Sequence, residues 1–129
     1  MALKEAVHDL LQKGVIVKCS CSKTEFINRL FLVVKPNGSF RPILDSHAFN
    51  QFVEKRKFKM ETIRQALLLV YKGCHMITVD LKDAYQGIPI FWKHHKFFRF
   101  RLGHVHYQFI RLSFGYTLAP WLFTKMLKV

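Results

Sequence analysis

The chain is short of acidic residues, and those it has stop early. Eight Asp and Glu stand against 21 Lys and Arg, for a net charge of +13. Asp83 is the last acid; from residue 84 onward there are seven Lys or Arg and no Asp or Glu. That stretch supplies no carboxylate for a hard cation or for acid–base chemistry. No apolar run reaches the ~20 residues needed to cross a bilayer, so no membrane partner is expected. The opening MALKEAVHDLLQKG scatters acids and bases where a signal peptide keeps an apolar core. An intracellular setting, cytoplasmic or nuclear, is the expectation. Cys19, Cys21 and Cys74 are odd in number and match no zinc-ligand spacing, so free, mostly inert thiols are expected. Repeats, linkers and low-complexity tracts are also missing, and the 129 residues read as one domain or a piece of one.

Apolar and aromatic residues, by contrast, are plentiful. Half the chain is hydrophobic, with 13 Phe, 4 Tyr and 2 Trp, which is enough for a core and too much for disorder. The positive charge predicts attraction to polyanions, nucleic acid first.

Ala2, Leu3, Ala6, Val7, Leu10 and Leu11 recur at helical spacing, and Gly14 follows where a helix end favours a left-handed residue. Residues 15–28 are mixed and read only weakly as extended. Apolar runs at 30–34 and 40–44 flank Pro36-Asn37-Gly38, the signature of a β-hairpin with Lys35 and Arg41 on its arms. A basic stretch, 49–60, leads to a second helical pattern through Ile63, Ala66, Leu67 and Val70, ended by Gly73. Residues 97–102 and 105–110 alternate around Gly103-His104 as a further hairpin, 113–117 reads as a loop, and 119–127 as a helix. Helices among hairpins predict an α+β fold with a mostly antiparallel sheet.

The most informative segment is MITVDLKDAYQGIPI, 76–90. An apolar run that predicts a buried strand delivers Asp80 at its tip, the kind of placement by which a carboxylate holds Mg²⁺. His94-His95 and His104-x-His106 suggest metal ligands, but neither pair has partners at matching spacing, and solvated residues are expected.

Taken in order, LFLVVKPNGSFRPILDSHAFNQF (30–52), MITVDLKDAYQGIPI and HYQFIRLSFGYTLAPWLFTKML (106–127) resemble a retroelement reverse transcriptase. The wording is most similar to polymerases of DIRS-like tyrosine-recombinase retrotransposons. The resemblance implies a partial right-hand polymerase, with residues 1–129 as the fingers and first half of the palm. It implies Asp80 as a catalytic aspartate binding Mg²⁺, with the Leu81 carbonyl as a further metal ligand. Lys35 and Arg41 would then clamp the phosphates of an incoming dNTP, a task suited to Arg's forked donors. Asp83, Ala84 and Tyr85 would line the sugar pocket, Tyr85 excluding a 2′-hydroxyl, and Phe114 and Gly115 would pack beside the nucleotide. Lys55, Arg56, Lys57 and Arg64 would contact an RNA or DNA template-primer, where charge matters more than geometry.

Some positions depart from the pattern: Ser46-His47, Gln86-Gly87, Ser113 and Tyr116-Thr117-Leu118. The family's paired-aspartate motif, its thumb and a ribonuclease H domain are not found in these residues. The expectation is therefore a fragment, inactive alone as a polymerase and prone to self-association through an exposed palm edge. A non-catalytic basic nucleic-acid-binding module is the alternative.

Overall fold

Helix α1 (Ala2–Gln12) ends as its glycine predicts. Gly14 adopts φ 72°, its amide donates to the Leu11 carbonyl at 3.1 Å, and the Val15 amide donates to Leu10 at 3.1 Å. This pair of bonds satisfies carbonyls the helix would otherwise leave open. The computed structural model describes residues 2–57, 62–79 and 81–127. Strands β1 (Ile16–Cys19), β2 (Ile27–Val34), β3 (Phe40–Asp45), β4 (Arg99–Leu102) and β5 (Val105–Phe109) form one sheet in the order β1-β5-β4-β2-β3. Only the β2–β4 pairing is parallel among them. Short helices α2 (His47–Asn50) and α3 (Ile63–Leu67) and the terminal α4 (Ala119–Leu127) complete the α+β fold.

Both hairpins form where their turns predict. The Lys35 amide donates to the Ser39 carbonyl at 2.7 Å, and Gly38 takes φ 85°. Asn37 Oδ1 accepts from the Ser39 amide at 3.0 Å, the local bond for which Asn is favoured in turns. In the second hairpin Leu102 faces Val105 across a two-residue turn whose Gly103 has φ 63°.

Residues opposite one another in a ladder share a face, so the register sorts the sheet. One face carries Ile16, Leu30, Leu44, Phe100, Tyr107 and Phe109, all buried, and Val7 and Leu10 of α1 join them in the core. Phe100 stacks on Tyr107 at 5.3 Å between centroids. The other face carries Arg29, Arg41, Arg99, Arg101, His106 and Gln108. Buried Asn28 joins the two ends of the sequence, its Nδ2 donating to the Phe97 and Arg99 carbonyls at 3.1 Å each.

Residues 76–79 do not form the buried strand expected of them. They are irregular, and Met76, Ile77 and Val79 are 77%, 84% and 76% exposed. An apolar run becomes a strand only when a neighbour supplies ladder bonds and a facing layer, and among the described residues none pairs with it. The second helix is likewise shorter than its pattern. Thr62 and Gln65 make a reciprocal capping box, yet α3 runs only from Ile63 to Leu67.

Candidate nucleotide-binding site

Three separate pieces of chain converge at the β3 edge of the sheet. The first is the β2–β3 hairpin, bearing Lys35 and Arg41. The second is the turn after residue 80, where Leu81, Lys82 and Asp83 lead into one 3₁₀ turn, Ala84–Gly87. The third is the loop holding Phe114, with Phe123 of α4 behind it. Between them lies a cleft of about 710 Å³ lined by Lys35, Asn37, Arg41, Leu81, Lys82, Asp83, Ala84, Tyr85, Phe114 and Phe123. Six of the seven nucleotide-binding candidates named from the sequence are thus in one wall-to-wall arrangement. Gly115, the seventh, adjoins it.

The aromatic wall is continuous. Tyr85 packs on Phe114 at 4.8 Å and edge-on to Phe123 at 5.5 Å between centroids. Burial raises the Tyr85 phenol above its ordinary pKa, so the ring presents a neutral hydroxyl. The guanidinium of Arg41 sits over the Phe114 ring, which holds its fork in place without using its N–H donors.

Phe114 is positioned by backbone. Its carbonyl accepts from the Leu44 amide at 3.0 Å, and it bridges Ile43 in parallel, extending the sheet beyond β3. That approach leaves no room at the next residue. Gly115 has φ 106°, and a Cβ there would stand 1.9 Å from the Leu44 carbonyl oxygen. Only glycine meets both conditions.

Asn50 is the positioning residue that sequence reading overlooked. From the end of α2 its Nδ2 donates to the Gly115 carbonyl at 2.9 Å and its Oδ1 accepts from the Thr117 amide at 2.9 Å. One amide side chain thus clamps both sides of the loop. Lys13 was missed as well. Its ammonium lies 3.5 Å from Asp83 and 3.0 Å from Asp9. The hydrogen bond to Asp9 does most to raise its pKa, with Asp83 adding to it. Asp83 itself is left-handed, φ 51° and ψ 47°, a conformation that Asp tolerates better than most residues.

The cleft is electropositive. Lys35, Arg41 and Lys82 face inward against a single carboxylate, Asp83, which already has Lys13 beside it. A polyphosphate suits such a lining. A divalent cation does not: among the described residues Asp83 is the only cleft carboxylate, too little for Mg²⁺. Asp80, the metal ligand and catalytic residue expected from the sequence, lies outside the described residues.

Lys55, Arg56, Lys57 and Arg64 do not line the cleft. They are exposed, Arg56 lying 5.3 Å from the Trp121 ring and 3.9 Å from Glu54. Two expectations about histidines need correcting. His95 is half-buried, with Nε2 2.7 Å from the Ile90 carbonyl oxygen. His106 is also half-buried, against Cys21 and Glu25. Strand pairing and a 3₁₀ turn draw both inward from the solvated positions their sequence context suggests.

Residues 33–129 match the family described as reverse transcriptase (RNA-dependent DNA polymerase). The chain is 26% identical over 118 residues to the Pro-Pol polyprotein of feline foamy virus, and 24% identical over 123 residues to that of simian foamy virus type 1. These alignments take in 92% and 95% of this chain but 10% of each polyprotein. Its fold superposes on a foamy viral protease-reverse transcriptase in complex with double-stranded DNA with a TM-score of 0.78. That match is at 22% identity, over 98% of this chain and 22% of the other. The native prototype foamy virus protease-reverse transcriptase gives a TM-score of 0.76, also at 22% identity, over 98% of this chain and 17% of that one. This chain belongs to the reverse transcriptase family.

Proposed function

We propose that residues 1–129 are the fingers and N-terminal palm of a retroelement RNA-directed DNA polymerase, and that the cleft receives the triphosphate and sugar of an incoming dNTP. The observation that carries this reading is the meeting of Lys35, Arg41, Asp83, Tyr85 and Phe114 around one electropositive cleft. Lys35 and Arg41 take the phosphates. Tyr85, with Asp83 and Ala84, faces the sugar and disfavours a 2′-hydroxyl, while Phe114 and Gly115 shape the base side. Lys55, Arg56, Lys57 and Arg64 contribute template contacts from outside the cleft.

Polymerases of this family use divalent cations. In the intact polymerase Asp80 and the Leu81 carbonyl are the proposed Mg²⁺ ligands. Since no acid follows Asp83, these residues alone are proposed to bind nucleotide without extending a primer. The wording of the motifs around Lys35 and Asp80 supports a DIRS-like subtype, whereas the relatives above are foamy viral.

The test is equilibrium binding of dUTP and UTP, which differ only at the 2′ position, to the 129-residue chain. Tighter binding of dUTP, weakened by Arg41→Ala and with the preference lost in Tyr85→Ala, is expected. Nucleotide binding indifferent to Arg41→Ala would overturn the assignment. A second reading, a basic nucleic-acid-binding module, is favoured by Arg29, Arg99 and Arg101, which share one face of the sheet away from the cleft. It predicts oligonucleotide binding that weakens steeply with salt and ignores both cleft variants.

A further inference from the structure

At the opposite edge of the sheet from the cleft, three side chains of metal-ligating type meet from two segments of the chain. Cys21 and Glu25 lie between β1 and β2, and His106 lies on β5. The ladder explains the meeting. Cys19 is the direct cross-strand partner of His106, so the chain leaving β1 carries Cys21 past the imidazole. Nδ1 of His106 is 3.8 Å from Cys21 Sγ and 3.6 Å from Glu25 Oε1. The three ligand atoms all lie within 4.8 Å of one another.

We propose that Cys21, Glu25 and His106 form a binding site for a thiophilic divalent transition metal, zinc foremost. One sulfur, one imidazole nitrogen and one carboxylate oxygen suit zinc and exclude Mg²⁺ and Ca²⁺, which take oxygen ligands. With usual zinc bond lengths, tetrahedral ligand atoms lie about 3.3–3.6 Å apart, so closure needs a contraction of no more than about 1.5 Å at any pair. Cys21 is exposed, which leaves a fourth position open to water.

The surroundings match the way carboxylate ligands are held. Arg99 pairs through Nη1 with the other oxygen of Glu25 at 2.5 Å, and its guanidinium is fixed in turn by the Ser20 carbonyl at 3.1 Å and Gln108 Oε1 at 3.0 Å. Oε1 is thereby aimed at His106 while Oε2 is occupied. The Arg99 charge offsets part of the negative charge of a thiolate and a carboxylate together.

Titration of the untagged 129-residue chain with Co²⁺, followed by Zn²⁺, tests the proposal. One Co²⁺ per chain is expected, with a thiolate-to-cobalt charge-transfer band, displaced by one equivalent of Zn²⁺. Cys21→Ser, at an exposed position that leaves the fold intact by circular dichroism, is expected to abolish the band and weaken Zn²⁺ binding about a hundredfold. His106→Gln is expected to act in the same direction. The proposal is overturned by the absence of a charge-transfer band at saturating Co²⁺, as a metal-free thiol–imidazole pair would give. A band that persists in Cys21→Ser also overturns it, since the metal would then sit on another thiol.

Discussion

The guanidinium carbon of Arg41 lies 4.8 Å from the centroid of the Phe114 ring, although 73 positions separate the two in sequence. The ring orients a cation that lines the cleft. Arg41→Ala is therefore expected to weaken dNTP binding by about ten- to a hundredfold, as for the loss of a charged hydrogen-bonding group. Arg41→Lys should fall between, keeping the charge and losing the fork. Calorimetric titration of the three proteins with one dNTP measures the series.

Gly115→Ala meets two penalties at once, a left-handed backbone and a carbonyl oxygen at 1.9 Å. A loss of about 3 kcal/mol or more in unfolding free energy is expected. Gly87→Ala is the control, because nothing stands within 4 Å of its added carbon. Urea denaturation should separate the two clearly.

Asn50→Ala frees the Gly115 carbonyl and the Thr117 amide together. Stability should fall by about 1–3 kcal/mol, and dNTP affinity should fall with it as Phe114 loses its support. Asn50→Asp keeps the acceptor for Thr117 and loses the donor, so an intermediate value is expected.

Burial raises the phenols of Tyr85 and Tyr116 above their ordinary value of 10.0. The native state then holds these protons more tightly than the unfolded chain does. This contribution to stability is complete below pH 10 or so and is lost as pH climbs through the raised values. Thermal melts across the alkaline range should show the fall, and Tyr85→Phe should blunt it.

The residues from Ile63 to Val79 expose many apolar side chains, among them Leu68 at 86% and Ile77 at 84%. Self-association is the expected result in dilute buffer. Sedimentation velocity should show larger species growing with concentration, and Leu68→Lys with Ile77→Lys should return the chain to a monomer.

Local chemistry was legible in the sequence; long-range pairing was not. Gly14, Gly38 and Gly103 mark their turns because each needs a left-handed backbone, and all three adopt one. Lys35, Arg41, Asp83, Tyr85 and Phe114 were named as one site through the order of their motifs. Strand β1 was only faintly legible, since Ile16–Cys19 owes its strand to β5, some 90 positions away. Asn50 gave no signal because its partners, Gly115 and Thr117, are more than 60 positions distant. The error at 76–79 has the same origin: hydrophobicity states that a segment prefers cover, and only a neighbour supplies it.

The single bond from the Leu44 amide to the Phe114 carbonyl has a mechanical meaning. It rivets the loop to the hairpin, so the arm that carries Arg41 cannot swing outward without dragging the Phe114 ring along or snapping the rivet. Arg41 and Phe114 therefore behave as one wall of the cleft rather than two.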